Sequence, residues 1–262
     1  MLLVVDIGNS HSTVGVFEGT NLRCRLQMVT RRGWTSDELA ADLSRLLALD
    51  GIDFDDLRAA VVACVVPPAL ASVVHALRRY ASLEALTVGP GVRTGVTIRY
   101  DSPQDVGADR ILAAVAVHAR HRVPDADGHG WIVVNFGTAT TFDVVSGRPE
   151  YLGGVISPGV SIGADALFAR AALLPRVDVA RPRRVVGVNT VTAVQSGLVY
   201  GQAALVEGVV RRIRAELSWP VRVVATGDFA DPIAAESDVI DVVDPTLVLE
   251  GLRLIHERNV PT

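Results

Sequence analysis

Short valine-rich runs alternate along the chain with longer stretches in which leucine, alanine and arginine recur at three- and four-residue spacing. Compact apolar runs bounded by turn residues mark buried strands, and the longer spacing marks amphipathic helices. Residues 2–6 are predicted as a buried strand, and 13–17 as a second strand after a tight polar turn. A helix is predicted over 36–49, capped by Ser36, with Leu39, Leu43, Leu46 and Leu47 at helical spacing. A strand over 59–66 is stopped by Pro67-Pro68, and helices follow over 70–80 and 106–120. Residues 122–130 are rich in Gly, Asp and Pro and read as a linker or hairpin. The pattern then resumes with strands over 132–135 and 140–145, helices over 161–174 and 191–217, a strand over 221–225 and a closing helix over 246–259. Such alternation belongs to the α/β class.

Within this pattern one segment occurs twice. Val4-Val5-Asp6-Ile7-Gly8-Asn9-Ser10 matches Val133-Val134-Asn135-Phe136-Gly137-Thr138-Ala139, and the offset of 129 residues is close to half of 262. A repeat at half the chain length points to a duplicated domain, with halves over 1–121 and 122–262, whereas a solenoid repeats every 20–50 residues. Each copy ends an apolar strand, turns on a glycine among small polar residues and starts another strand. Glycine lets the backbone approach a ligand closely. The N–H groups after Gly8 and the hydroxyls of Ser10, Ser12 and Thr13 are donors suited to phosphate oxygens. Asp6 is a hard oxygen ligand of the kind Mg²⁺ takes alongside phosphates. A plain hairpin with a polar turn would look the same in a single copy.

Composition narrows the function classes. The formal charge of −4 argues against a nucleic-acid partner. Mean hydropathy is +0.34, yet no apolar run reaches the length of about 20 residues that spans a bilayer. The N-terminus has no basic region and meets an acid at Asp6, unlike a secretory signal. A cytoplasmic protein is expected, with Cys24 and Cys64 as ordinary reduced cysteines.

Two phosphate hairpins in a duplicated α/β chain resemble the actin, hexokinase and Hsp70 superfamily of ATP-binding folds. Within it the chain is similar to the type III pantothenate kinases. The resemblance rests on Asp6-Ile7-Gly8-Asn9-Ser10, Tyr100, Gly107-Ala108-Asp109-Arg110, Phe136-Gly137-Thr138-Ala139-Thr140-Thr141, Leu152-Gly153-Gly154-Val155-Ile156-Ser157-Pro158-Gly159, Asn189-Thr190 and Gln195-Ser196-Gly197, in the family's order across nearly the whole chain. It implies a duplicated actin-like (ribonuclease H-like) ATPase fold, two related halves with mixed sheets flanked by helices. The implied reaction is ATP-dependent phosphorylation of pantothenate to 4'-phosphopantothenate, the first step of coenzyme A biosynthesis. By the same resemblance Asp6, Ile7, Gly8, Asn9, Ser10, His11, Ser12, Thr13 and Thr138 belong to the ATP and phosphate site, with Mg²⁺ at Asp6. Asp109 is the implied proton acceptor. Tyr100, Gly107, Ala108, Arg110 and Thr190 are implied to touch the substrate, and a homodimer is implied with the pocket near its interface. Asp109 and Arg110 read equally as a helix-terminal acid and a surface ion pair, and Thr190 as part of a helix cap. A structural role also suits Gly153-Gly154 and Pro158-Gly159.

At position 135 the chain departs from the resemblance, which calls for Asp where Asn135 stands. That position is implied to hold a monovalent cation, K⁺ or NH₄⁺. Asn keeps an oxygen ligand and loses the charge. Three readings stay open: a weakened cation site, an altered or lost cation dependence, and a weak or inactive paralogue acting as an ATP-binding accessory protein. Another small-molecule kinase of the same fold is the further alternative. His118 and His121 are read as a solvated helix face, Arg181, Arg183 and Arg184 as a solvated loop, and Trp34 and Trp131 as packing residues.

Overall fold

The computed structural model describes residues 1–121 and 128–260, so most of the expected 122–130 linker lies outside the described residues. The chain forms two compact units, one of residues 1–97, 101–116 and 247 onward, the other of 98–100 and 117–246. Residues 247 onward group with the first unit, whereas the expected division at 121 assigns them to the C-terminal half.

In the first unit the apolar run condenses into β1 (Leu2–Ile7), which pairs antiparallel with β2 (His11–Glu18), itself antiparallel to β3 (Asn21–Val29). α1 (Ser36–Leu49) follows, then β4 (Ala59–Cys64), α2 (Pro67–Tyr80) and β5 (Ala85–Thr87). The sheet order is β3-β2-β1-β4-β5, with β1, β4 and β5 parallel. Leu3, Val5, Ile7, Val14 and Val16 face a core completed by Leu39, Leu43, Leu47, Val73 and Leu77 of the two helices. The α1 cap is Thr35 rather than Ser36: its hydroxyl accepts from Glu38 N (3.2 Å) and Glu38 answers at Thr35 N (3.1 Å), closing a capping box. α2 begins at Pro67 because a proline fits the first helical turn, where no N–H is needed.

The chain then runs through β6 (Thr97–Ile98) and α3 (Ala108–Arg120) into the second unit. That unit holds β7 (Gly130–Phe136), β8 (Ala139–Val145), β9 (Glu150–Pro158), α4 (Val160–Arg170), α5 (Thr190–Glu216), β10 (Val221–Gly227), α6 (Ala230–Ala234) and β11 (Val242–Val243). Its sheet order is β11-β10-β7-β8-β9-β6. Apart from the added β6, order and strand directions repeat those of the first sheet: β7 and β8 stand where β1 and β2 do, and β10 where β4 does. Ile132, Val134, Phe136, Phe142 and Val144 pack on Val199, Ala203, Val206 and Val210 of α5.

Several expectations change. β3 and β9 were not predicted. β3 alternates exposed and buried side chains as an edge strand does, and Gly153-Gly154 interrupts the apolar run of β9. The helix expected to 174 ends at Arg170, consistent with Pro175, which disfavours helical backbone at the residue before it. His118 and His121 are half-buried and partnered rather than a freely solvated face. The His118 ring packs edge-on against Trp131 (5.5 Å), and His121 Nε2 lies 2.9 Å from Oδ2 of buried Asp244. Arg181 pairs with Glu236 at 2.5 Å. Trp34 and Trp131 are buried packing residues, as expected. Burial raises the pKa of both the Cys24 and Cys64 thiols, so neither is a ready nucleophile. Among the described residues no helix is long and apolar enough to cross a membrane.

α7 (Leu247–Asn259) belongs to the first unit, where it packs against β1, β2 and β4. A Cβ at Gly251 would stand 2.3 Å from the Leu112 carbonyl oxygen of α3, so the two helices touch backbone to backbone there. Gly251→Ala is expected to cost about 2 kcal/mol by overpacking and to lower the thermal unfolding midpoint by roughly 5 °C. An unchanged midpoint would refute this account of the helix contact.

Candidate active site

The first unit builds its site on the turn between β1 and β2. Gly8 N donates to His11 O (3.1 Å), and a Cβ at Gly8 would stand 2.7 Å from that oxygen, so the turn needs glycine. Asn9, Ser10 and His11 are exposed at its tip. Strand alternation then sorts the polar residues behind it. Asp6 and Thr13 are cross-strand partners and share one face. Ser12 faces the other way, buried, with its hydroxyl 2.8 Å from that of Thr30. The Ser12 hydroxyl, expected among the phosphate donors, is thus turned into the core, and Ile7 is fully buried and can offer only backbone.

Asp6 lies deep in the unit although its side chain reaches the surface. Burial, and then the charge of Asp109, raise its pKa from 3.8 to about 7. Two carboxylates within electrostatic reach repel, and a divalent cation relieves both the repulsion and the lost hydration. The donor set therefore fits Mg²⁺, an ion that keeps waters and phosphate oxygens around one or two carboxylates. No cluster of three or more acidic, His or Cys ligands occurs among the described residues.

Asp109 stands in the first turn of α3, after Gly107, whose carbonyl accepts from the N–H of Arg110 (3.1 Å) and Ile111 (3.3 Å). A Cβ at Gly107 would lie 2.6 Å from Asp109 Oδ1, so glycine leaves room for the carboxylate to fold back over the helix start. Arg110 is buried. Asp6 and Asp109, more than a hundred positions apart in sequence, are thus brought together in one unit.

In the second unit Asn135 occupies on β7 the place of Asp6 on β1, opposite Thr141 on β8. Gly137 N donates to Ala139 O (3.1 Å), closing the turn that carries Thr138. Two further glycines crowd this turn. A Cβ at Gly159 would stand 2.4 Å from Thr138 O, and one at Gly227 (φ +95°) 2.6 Å from Phe136 O and 2.8 Å from Asn135 Oδ1. Gly159 is therefore a packing glycine. Gly227 lies beyond the strand predicted over 221–225 and carries no role in the sequence analysis. The amide oxygen of Asn135 faces the Gly227 backbone beside the carbonyl of Phe136 and is a neutral acceptor.

Tyr100 is 38% exposed and packs its ring against Tyr151, with centroids 6.3 Å apart. Thr190 is the first residue of α5, while the cap is Asn189, whose Oδ1 accepts from Thr192 N (2.9 Å). The Thr190 side chain is thereby left exposed, on the rim of an open groove of about 960 Å³ lined also by Leu167, Leu174, Val188 and Leu198.

A family model described as "Type III pantothenate kinase" matches residues 2–212. A curated type III pantothenate kinase of Myxococcus xanthus is 48% identical over 261 residues, 99% of each chain. Another, of a Geobacillus species, is 44% identical over 261 residues, 99% of this chain and 98% of the relative. Among solved structures, one described as a Baf family transcriptional activator from Campylobacter jejuni aligns with a TM-score of 0.60 at 18% identity, covering 98% of each chain. A 2-dehydro-3-deoxygalactonokinase protein from Sinorhizobium meliloti aligns with a TM-score of 0.58 at 13% identity over the whole of both chains. At such identity these two speak for the actin-like kinase fold alone.

The raised Asp6 pKa gives a sign for stability. A carboxyl protonated more readily in the folded state contributes most below 3.8, and that contribution is lost as pH rises toward about 7. Asp6→Asn is therefore expected to raise the metal-free unfolding midpoint at pH 8, by roughly 3 °C or more, with a smaller gain at pH 5. A gain independent of pH would show that the carboxylate is not under strain.

Proposed function

The chain belongs to the type III pantothenate kinase family, and from that premise we propose how its residues divide the work of the reaction. The protein transfers a phosphoryl group from ATP to the hydroxyl of pantothenate, in coenzyme A biosynthesis. Phosphoryl transfer through a loose transition state is mainly positioning and charge stabilisation. The exposed turn from Gly8 to His11, with Thr13 beside Asp6, binds phosphate oxygens of ATP. Thr138, on the turn of the second unit, is likewise read as a phosphate contact. Asp6 would hold Mg²⁺, which supplies neutralisation of phosphate charge when bound.

Asp109 orients the pantothenate hydroxyl and receives its proton late, when the bond to phosphorus is forming. A weak base suffices for that, because a loose transition state delays proton removal. Arg110 offers a planar fork of donors to the pantothenate carboxylate or a phosphate. Tyr100 and Thr190, in the second unit, are pantothenate contacts in the same reading. Asn135 would hold K⁺ or NH₄⁺ through its amide oxygen, more weakly than an aspartate would. A homodimer accounts for the exposed apolar side chains of this unit: Val188, which lines the groove with Thr190, is 83% exposed, and Leu173 and Val186 are 95% and 79% exposed, an unusual cost for side chains left in water. The observation that carries this division of labour is the pairing of Asp6 with Asp109 in one electrostatic environment.

The test is ADP release from ATP and Mg²⁺ with a panel of acceptor alcohols, with and without potassium. Pantothenate-dependent ADP supports the reading, and equal release with sugars or acetate would sink it. Asp109→Asn is expected to lower kcat by about 10²-fold or more while leaving ATP affinity nearly unchanged. Unchanged turnover would remove Asp109 from the reaction. Asn135→Asp is expected to lower the potassium concentration for half-maximal activation by roughly tenfold, since it restores a charge beside the ion. Identical titrations for the two proteins would show that no cation is held there.

A further inference from the structure

A buried carboxylate in the second unit is left over by this division of labour. Asp143, in the middle of β8, is fully buried. One of its oxygens accepts from Thr141 Oγ1 (2.9 Å) and the other from the hydroxyl of Tyr151 (3.0 Å). A carboxylate is kept from water at high cost, so such a group persists where its hydrogen bonds fix something specific. What it fixes is Tyr151, also fully buried, whose ring bears on Tyr100 at an interplanar angle of 52°.

The backbone around Tyr100 is tied to the same place. Arg99 N donates to Tyr151 O (2.7 Å), and the Arg99 guanidinium holds Glu150 Oε1 (2.9 Å). The register of β8 and β9 slips between Val144 and Val145, and Gly153, beyond the slip, adopts φ +114°. A Cβ there would stand 3.5 Å from the Tyr100 ring, so the ring lies over the glycine. Tyr100 is thus held from below by Tyr151 and Gly153 and keeps part of its surface exposed.

We propose that Asp143 and Tyr151 are positioning residues that set the ring of Tyr100 for the acceptor substrate, Asp143 through the Tyr151 hydroxyl and Tyr151 through ring contact. The proposal rests on the reading of Tyr100 as a pantothenate contact. The order of action is Asp143, then Tyr151, then Tyr100. Thr141 shares the carboxylate and lies opposite Asn135 on β7, so the same chain of contacts begins next to the proposed cation position.

Steady-state kinetics on Tyr151→Phe, which removes one oxygen, tests the relay. The pantothenate KM is expected to rise by about tenfold, the change carried by one buried hydrogen bond, with kcat and the ATP KM within about twofold of the parent. Asp143→Asn is expected to shift the same constant in the same direction; if it does not fold, Tyr151→Phe carries the test alone. In a Tyr100→Ala background Tyr151→Phe is expected to have no further effect. A pantothenate KM unchanged in Tyr151→Phe, or raised equally without Tyr100, would overturn the relay. Failure of the underlying reading shows differently, as a pantothenate KM left unchanged by Tyr100→Ala itself.

Discussion

A carboxylate held deep in a fold beside a second carboxylate is a standing electrostatic debt, and the first unit is built so that it cannot be escaped. Asp6 cannot move, because β1 is paired on both sides, antiparallel to β2 and parallel to β4, and its neighbours Val5 and Ile7 are locked into the core. Asp109 cannot move either, because α3 starts where Gly107 lets its carboxylate fold back. Rigid sheet and rigid helix start therefore keep the two carboxyl groups near each other, and that confinement costs the protein some stability once both are ionised.

The second unit repeats the topology without the tension. Asn135 stands at the same strand position as Asp6, but it carries an amide, and its neighbours are the carbonyl of Phe136 and the glycine backbone of Gly227. One sheet plan thus supports a charged and a neutral oxygen site, and the difference lies in one side chain rather than in the backbone. The Asp143–Tyr151 pair shows a different use of burial: its carboxylate is satisfied by hydroxyl donors and organises an aromatic surface.

Much of this was legible in the sequence. The central strands, the long α5 and the repeat at Asp6 and Asn135 follow from apolar runs of fixed length and from their spacing. Two strands escaped, because β3, at a sheet edge, is solvated on one face and β9 is broken by Gly153-Gly154, so neither carries a clean period. The phosphate turn was visible as a motif, yet only alternation along β2 reveals that the Ser12 hydroxyl faces Thr30 while Thr13 shares the face of Asp6. Asp143 had no signal of its own, since a single acid inside a strand looks like a surface residue until its partners are known. The histidines misled for the same reason: the acid that holds His121 is Asp244, far along the chain.

The placement of α7 against β1 also bears on how the molecule is made. β1 leaves the ribosome first among these elements and α7 last, so the first unit waits for α7 before it can close over its own sheet. The second unit, continuous apart from residues 98–100, can form while the chain is still being extended. During that interval the α7-facing side of β1, β2 and β4 is bare, a hydrophobic face that nascent-chain chaperones would meet before any substrate does.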